Sequence, residues 1–576
     1  MKYIVKTLLV AALAFTTTSC IKEIDPQREI VTGDQAANAP GAYNNFVDAI
    51  TNSLTGSFTY YGASNAYPFD FGYPSFYLMR DVMGHDIAYP YQNWYIAWYG
   101  CGVSLGPSYA YSQIPWTYYY SWIKSCNTVI SLAGETPDED KITGAGIAYC
   151  MRAMFYMDIA RMFAQETYGI NKEAETVPIV TESTSLNDLS NNPRATNDSI
   201  WSFIISDLDK AENYLANYKR TDVYTPDLSV VYGLKARAYL TMEDWANAET
   251  YAKKAQVGYS IMTEEQYTSR DTGFNTPNSS WMFGMTYKAD DDNITLNDSD
   301  SNWASLMCLE IDPDGSGCGY AANYGQQFVI DRHLYETVPA TDFRKKCFVD
   351  FAIDDYADYT DDKELTEAAK EAIDGALAAY SDYPSWVRRT GYDGNYGQVG
   401  GLSLKFRVTG GEEGHYNQYV GFVVAIPMMR VEEMYLIEAE AAGMQNEANG
   451  INLLTTFAKT RDASYVYGKH NEAYGNSTTS AFQNEIWWQR RIEFWGEGLA
   501  TFDIKRLDKA VIRSYAGSNH CEGYRWNQGD YGTNANSNHP NWMDLCIVQT
   551  ETNYNSACTN NPTPIAPTGD SAEHVW

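Results

Sequence analysis

Apolar positions recur at helical spacing over several long segments, and irregular stretches separate them. Residues 34–55 read as a first helix with alanines and aromatic anchors. Residues 116–133 return to helical spacing. Residues 143–166 form a stronger helix, in which Ala148, Met151, Phe155, Ile159 and Phe163 make one apolar stripe. Asn197 to Leu215 begins polar and turns amphipathic. Ser229 to Leu240 and Trp245 to Gln256 read as a helical hairpin joined by Thr241–Asp244, with the size and small-residue pattern of a tetratricopeptide-type repeat. Further helices are predicted at 363–379, 427–443 and 481–496.

Between these segments the period is lost. Residues 56–115 are rich in Tyr, Trp, Gly and Pro, and an irregular stretch of that length with such aromatic density points to function rather than disorder. Residues 259–426 break into short extended runs, and residues 511–576 are Asn-, Gly- and Trp-rich. The expectation is a mainly α domain over 34–576. Its helical scaffold covers about 34–258 and 427–510, the irregular insertion 259–426, and a loop-rich tail with minor short strands the remainder.

The first residues follow a different pattern. Lys2 and Lys6 precede an apolar run from Leu8 to Phe15, then Thr16 to Ser19 lead into Cys20. Positive, apolar and small in that order is a secretory signal, and the apolar run is too short to span a bilayer. Small residues running into a cysteine resemble a bacterial lipoprotein signal. That resemblance implies removal of 1–19, acylation of Cys20 and a short tether over 20–33; a plain signal peptide cut elsewhere is the alternative.

Charge narrows the partners. The chain carries 41 Lys and Arg against 73 Asp and Glu, a net charge of -32, which repels phosphate backbones and disfavours nucleic acid. A neutral ligand meets no such penalty. The 47 Tyr, 15 Trp and 21 Phe exceed what a core needs and hint at a surface for planar or sugar-like ligands. Of the cysteines beyond Cys20, Cys308 with Cys318 and Cys546 with Cys558 are candidate bridges, buried thiols being the alternative.

The chemistry of a sugar site is flat aromatic faces beside a few amides and carboxylates in a concave, largely apolar surface. One stretch, 85–99, offers Asp86, Tyr89, Tyr91, Asn93, Trp94 and Trp98. A second, 302–327, offers Trp303, Tyr320, Asn323 and Tyr324, and Trp386 with Tyr392 form a further candidate. Trp94 and Trp98 lie four apart, a spacing that also suits a buried helical stripe. Asp312, Asp314 and Ser316 place hard oxygen ligands at alternate positions, as at the start of a calcium loop, but Asn323 stands where the closing glutamate would be. No pair of carboxylates stands out as a glycoside hydrolase would need. His85, His333 and His415 have no nucleophile signature beside them.

Five segments carry a family likeness. Residues 489–506, QRRIEFWGEGLATFDIKR, resemble the late signature helix of the SusD/RagB family of outer-membrane nutrient-binding lipoproteins. Residues 430–442, RVEEMYLIEAEAA, resemble its other signature helix. Tyr149 to Gly169, Tyr232 to Leu240 and Trp116 to Asn127 match earlier family segments in order. Ile451 to Asp462 departs from the pattern and keeps only Arg461 in a similar role. The resemblance implies a SusD-like helical fold with four tetratricopeptide-like pairs, anchored to the outer membrane and facing the exterior. It also implies capture of glycans, or of peptides in some branches, for a SusC-like TonB-dependent transporter, without catalysis. Within the motifs, Arg430, Glu433, Glu493, Glu497, Asp503 and Arg506 are expected to hold the scaffold together through charge-assisted hydrogen bonds, and Gly498 to permit a sharp turn or close approach.

Overall fold

A computed structural model describes residues 41–57, 68–88, 94–296, 299–309, 319–324, 328–362, 364–378, 380, 399–527, 538–565 and 567–576. Residues 1–45 form one unit, of which only 41–45 are described, and Phe46–Trp576 form the other. Cys20, Tyr89, Tyr91, Asn93, Asp312, Asp314, Ser316, Cys318, Trp386 and Tyr392 lie outside the described residues. Asn323 and Tyr324 are placed only by their backbone, at the end of a short helix.

The helices are α1 (Ala42–Asn52) and α2 (Tyr73–Val82), then strand β1 (Ile87–Ala88), and α3 (Ala110–Ala133), α4 (Ile142–Phe163), α5 (Asn197–Tyr214), α6 (Leu228–Thr241) and α7 (Trp245–Ala255). Strands β2 (Trp281–Thr286) and β3 (Val329–Ile330), helix α8 (Glu367–Leu377) and strand β4 (Ala425–Arg430) follow. Then come α9 (Val431–Gln445), α10 (Glu447–Ala458), α11 (Ala481–Glu493) and α12 (Ala500–Arg506).

Several helix starts coincide with side-chain caps. Thr196, Asp227, Asp244 and Asn446 each accept a first-turn N–H of α5, α6, α7 and α10, and Ser480 with Gln483 closes a capping box on α11. Each cap satisfies a donor that the helix itself leaves open. The row of packed helices runs α3, α4, α5, α6, α7 and then α9 and α10. Helix α7 therefore meets α9 across everything between Gln256 and Arg430, so that stretch is an insertion between neighbours of one helical row. No helix among the described residues is long and apolar enough to cross a membrane.

Two predicted boundaries move. Residues 427–430 are strand rather than helix, because β4 pairs antiparallel with β2 from Thr286–Ala425 to Trp281–Arg430 and α9 begins only at Val431. Within the stretch 56–115, expected to be irregular, α2 is a regular helix. All ten of its residues are buried, and a helix buried on every side has no polar face to betray its period. Residues 447–458, where family likeness fails, are helix α10. Cys546 and Cys558 form no bridge; the Cys546 thiol faces the carbonyls of Asn561 and Pro562 at 3.7 Å instead.

Candidate functional site

Strand β1 closes the start of the first candidate stretch and β3 follows the end of the second. The two pair antiparallel, Ile87 opposite Ile330 and Ala88 opposite Val329. That short, buried ladder ties together two stretches more than 200 residues apart in the chain. Trp94 is 44% exposed, and its ring meets Tyr320 edge to face with centroids 6.0 Å apart. Tyr320 sits on the helical turn Gly319–Tyr324, whose start is pinned by the Tyr320 N–H donating to Ser305 Oγ at 2.9 Å. Gly319 is required there: φ is +70°, and a Cβ would lie 2.8 Å from both Ser305 Cα and the Phe422 ring.

The residues that follow Trp94 in the chain build a buried aromatic floor. Trp98 packs edge to face on Phe69 at 5.2 Å and on Tyr111 at 5.1 Å, and Tyr95 does so on Phe328 at 5.6 Å. The Tyr95 hydroxyl shares a 2.8 Å hydrogen bond with Ser75. Three expected ligand residues are interior. Trp98 is 1% exposed and belongs to this floor. Trp303 is likewise 1% exposed, wedged between Tyr77 and Phe406. Asp86 is buried in a 2.6 Å ion pair with Arg491. Their rings and carboxylate have no solvent face to offer a sugar; apolar area and a desolvated charge pair hold them inside. Trp94 and Tyr320 are the expected residues that the structure brings together at the surface.

The signature residues form the densest charged cluster of the interior. Arg430 donates Nε to Glu497 Oε2 and Nη2 to Glu497 Oε1, both at 2.9 Å, and Nη1 to Glu493 Oε1 at 3.1 Å. Arg461 reaches both Glu493 oxygens at 3.0 Å, and Arg344 adds a third guanidinium at 3.2 Å. Lys405 donates to Glu497 at 2.7 Å, Glu432 lies 3.0 Å from Arg430, and Asp342 pairs with Arg344 at 2.6 Å. Four cations thus face four carboxylates, and the buried cluster is neutral. Burial alone would raise the Glu493 carboxyl, but the guanidiniums of Arg461, Arg430 and Arg344 outweigh it and hold it well below the usual carboxylate range.

A second chain of pairs runs Arg237–Glu433, Arg490–Asp503, Asp503–Arg506 and Arg506–Glu440, at 2.6 to 2.7 Å. It crosslinks α6, α9, α11 and α12. Gly498 turns with φ +74°, and a Cβ there would lie 2.6 Å from the Tyr77 ring of α2. Asp81 at the end of α2 accepts the N–H of Gly498 at 2.9 Å and of Ala500 at 3.2 Å. Burial pushes its carboxyl up to about 7, with these two N–H groups pulling the other way. Sequence reasoning missed Arg344, Lys405 and Glu432. The first two come from the insertion, at positions with no periodic or motif signal, and only the fold carries them to Glu493 and Glu497.

A model of the SusD family matches residues 181–563. The chain belongs to the SusD family. A second family model, described as starch-binding associating with outer membrane, matches residues 90–240. No curated protein sequence matches the chain.

Solved structures share the fold over about 90% of this SusD-family chain. A SusD-like carbohydrate binding protein from Bacteroides vulgatus matches with a TM-score of 0.63 at 20% identity, over 90% of this chain and 97% of that one. A SusD superfamily protein from Bacteroides thetaiotaomicron matches with a TM-score of 0.61 at 17% identity, over 90% and 99%. Surface glycan-binding protein A from the same organism, solved in complex with laminarihexaose, matches with a TM-score of 0.59 at 17% identity, over 90% and 98%.

Proposed function

We propose that this SusD-family chain binds oligo- or polysaccharides at the outer cell surface and passes them to a SusC-like TonB-dependent transporter, anchored by lipid on Cys20. The observation that carries the reading is the exposed Trp94 ring set edge to face against Tyr320, with the next residue, Tyr95, buried in an aromatic floor. A flat ring held this way presents an apolar face to the C–H side of a pyranose at little cost in side-chain entropy. The net charge of -32 suits a neutral ligand. Likeness in fold to a glycan-binding protein solved with laminarihexaose supports the same reading.

The role is binding, with no bond broken. The test is affinity electrophoresis of the full chain, purified in mild detergent, through gels containing starch, laminarin, xylan or galactomannan, with peptide mixtures as competitors. Retardation by a polysaccharide whose chain length stays unchanged is expected. Calorimetric binding of peptides with no retardation in any glycan gel would make this a peptide binder, and shortening of the polysaccharide would make it a hydrolase. Labelling with an alkynyl fatty acid that Cys20→Ser abolishes tests the anchor, and co-purification with a TonB-dependent barrel tests the partner.

A further inference from the structure

Tyr416 and Tyr419 are exposed aromatic side chains on a segment that leads into the packing behind Tyr320. Tyr416 is 48% and Tyr419 38% exposed; Tyr416 follows the turn at 411–414, and Tyr419 sits three residues on, in the turn at 418–421. Their backbone is firmly closed. Asn417 Oδ1 accepts the Tyr419 N–H at 3.1 Å, the Asn417 carbonyl accepts Gly421 at 2.8 Å, and the Gly421 carbonyl accepts Thr409 at 3.0 Å. The segment then runs into Phe422, which is fully buried, and on into β4.

Phe422 makes the connection. Its ring packs against Gly319, closely enough that a Cβ on Gly319 would lie 2.8 Å from it. Gly319 is the residue before Tyr320, so one buried aromatic supports the turn carrying Tyr320 and begins the chain leading back to Tyr419 and Tyr416. Phe422 therefore links the segment that carries the two exposed tyrosines to the turn that carries Tyr320. Glu412 and Glu413 are exposed beside the tyrosines, and two adjacent carboxylates repel an anionic chain.

We infer that Tyr416 and Tyr419 form a second aromatic station of the glycan site, so that the ligand is a neutral oligosaccharide long enough to engage both stations. This rests on the glycan-binding reading above. Tyrosine suits the place: its ring has an apolar face that can stack on a sugar, and its hydroxyl is a polar handle at the edge.

The experiment measures binding by calorimetry with the full chain in detergent. The probes are the disaccharide and hexasaccharide of whichever neutral polysaccharide retards the wild-type protein in the gels. Tyr416→Ala with Tyr419→Ala should weaken the hexasaccharide about tenfold and leave the disaccharide unchanged. Tyr416→Phe with Tyr419→Phe keeps both rings and should retain most of the hexasaccharide affinity. Trp94→Ala should weaken both ligands. Wild-type hexasaccharide affinity in the double alanine variant, or equal loss for both ligand lengths, would overturn the second station while the Trp94 site stands. A wild-type protein retarded by none of the polysaccharides would overturn the underlying reading and this inference with it.

Discussion

Arg430 and Glu497 meet as a bidentate pair with both contacts at 2.9 Å, sealed from solvent between the end of β4 and the turn before α12. Neither charge would survive there alone, since each has given up its hydration. The same holds for Glu493, which faces three guanidiniums. Glu493→Gln keeps the shape and removes the charge that neutralises them. It should destabilise the fold by about 3–5 kcal/mol, the scale for breaking a buried ion pair from one side. Denaturant unfolding followed by circular dichroism measures it; a loss within about 0.5 kcal/mol, the scale of an uninvolved surface change, would show that the cluster does not hold these elements.

Trp94 and Trp98 lie four apart and should behave oppositely. Trp98→Ala empties part of the aromatic floor and should cost about 3–5 kcal/mol of stability. Trp94→Ala removes an exposed ring and should leave stability within about 0.5 kcal/mol, while weakening glycan binding about tenfold. Thermal melts and calorimetry on both variants separate the two roles. A destabilised Trp94→Ala with normal affinity would reverse the assignment.

Asp81 sets a pH dependence. Its carboxyl is raised by burial from 3.8 to about 7 in the folded chain. Between about pH 4 and 7 the folded state therefore holds a proton that the unfolded state has released, and stability from this group falls as pH rises through that window. Asp81→Asn, neutral throughout, should flatten that part of the stability profile. An unchanged slope between pH 4 and 7 in urea unfolding would refute it.

Gly498 lies where a side chain is excluded twice over, by φ and by Tyr77. Gly498→Ala should cost more than about 1 kcal/mol, the usual penalty where φ is positive being exceeded by the clash. A melting temperature equal to that of the wild-type chain would contradict this.

The helices with one wet and one dry face were legible in the chain, because a period of 3.6 follows directly from burial on one side. So were the signature segments on α9, α11 and α12, whose charges cluster within a few turns. Helix α2 was not legible, since burial on all sides erases the period. Nor was the split between strand β4 and helix α9, which pairing with a strand more than 100 residues earlier decides. Aromatic richness at 85–99 and 302–327 did not say which of those rings stay outside. Composition along a chain cannot say which way a side chain points once distant segments pack. Tertiary packing decides that: Trp94 stays at the surface against Tyr320, whereas Phe69 and Tyr111 cover Trp98, and Tyr77 and Phe406 cover Trp303.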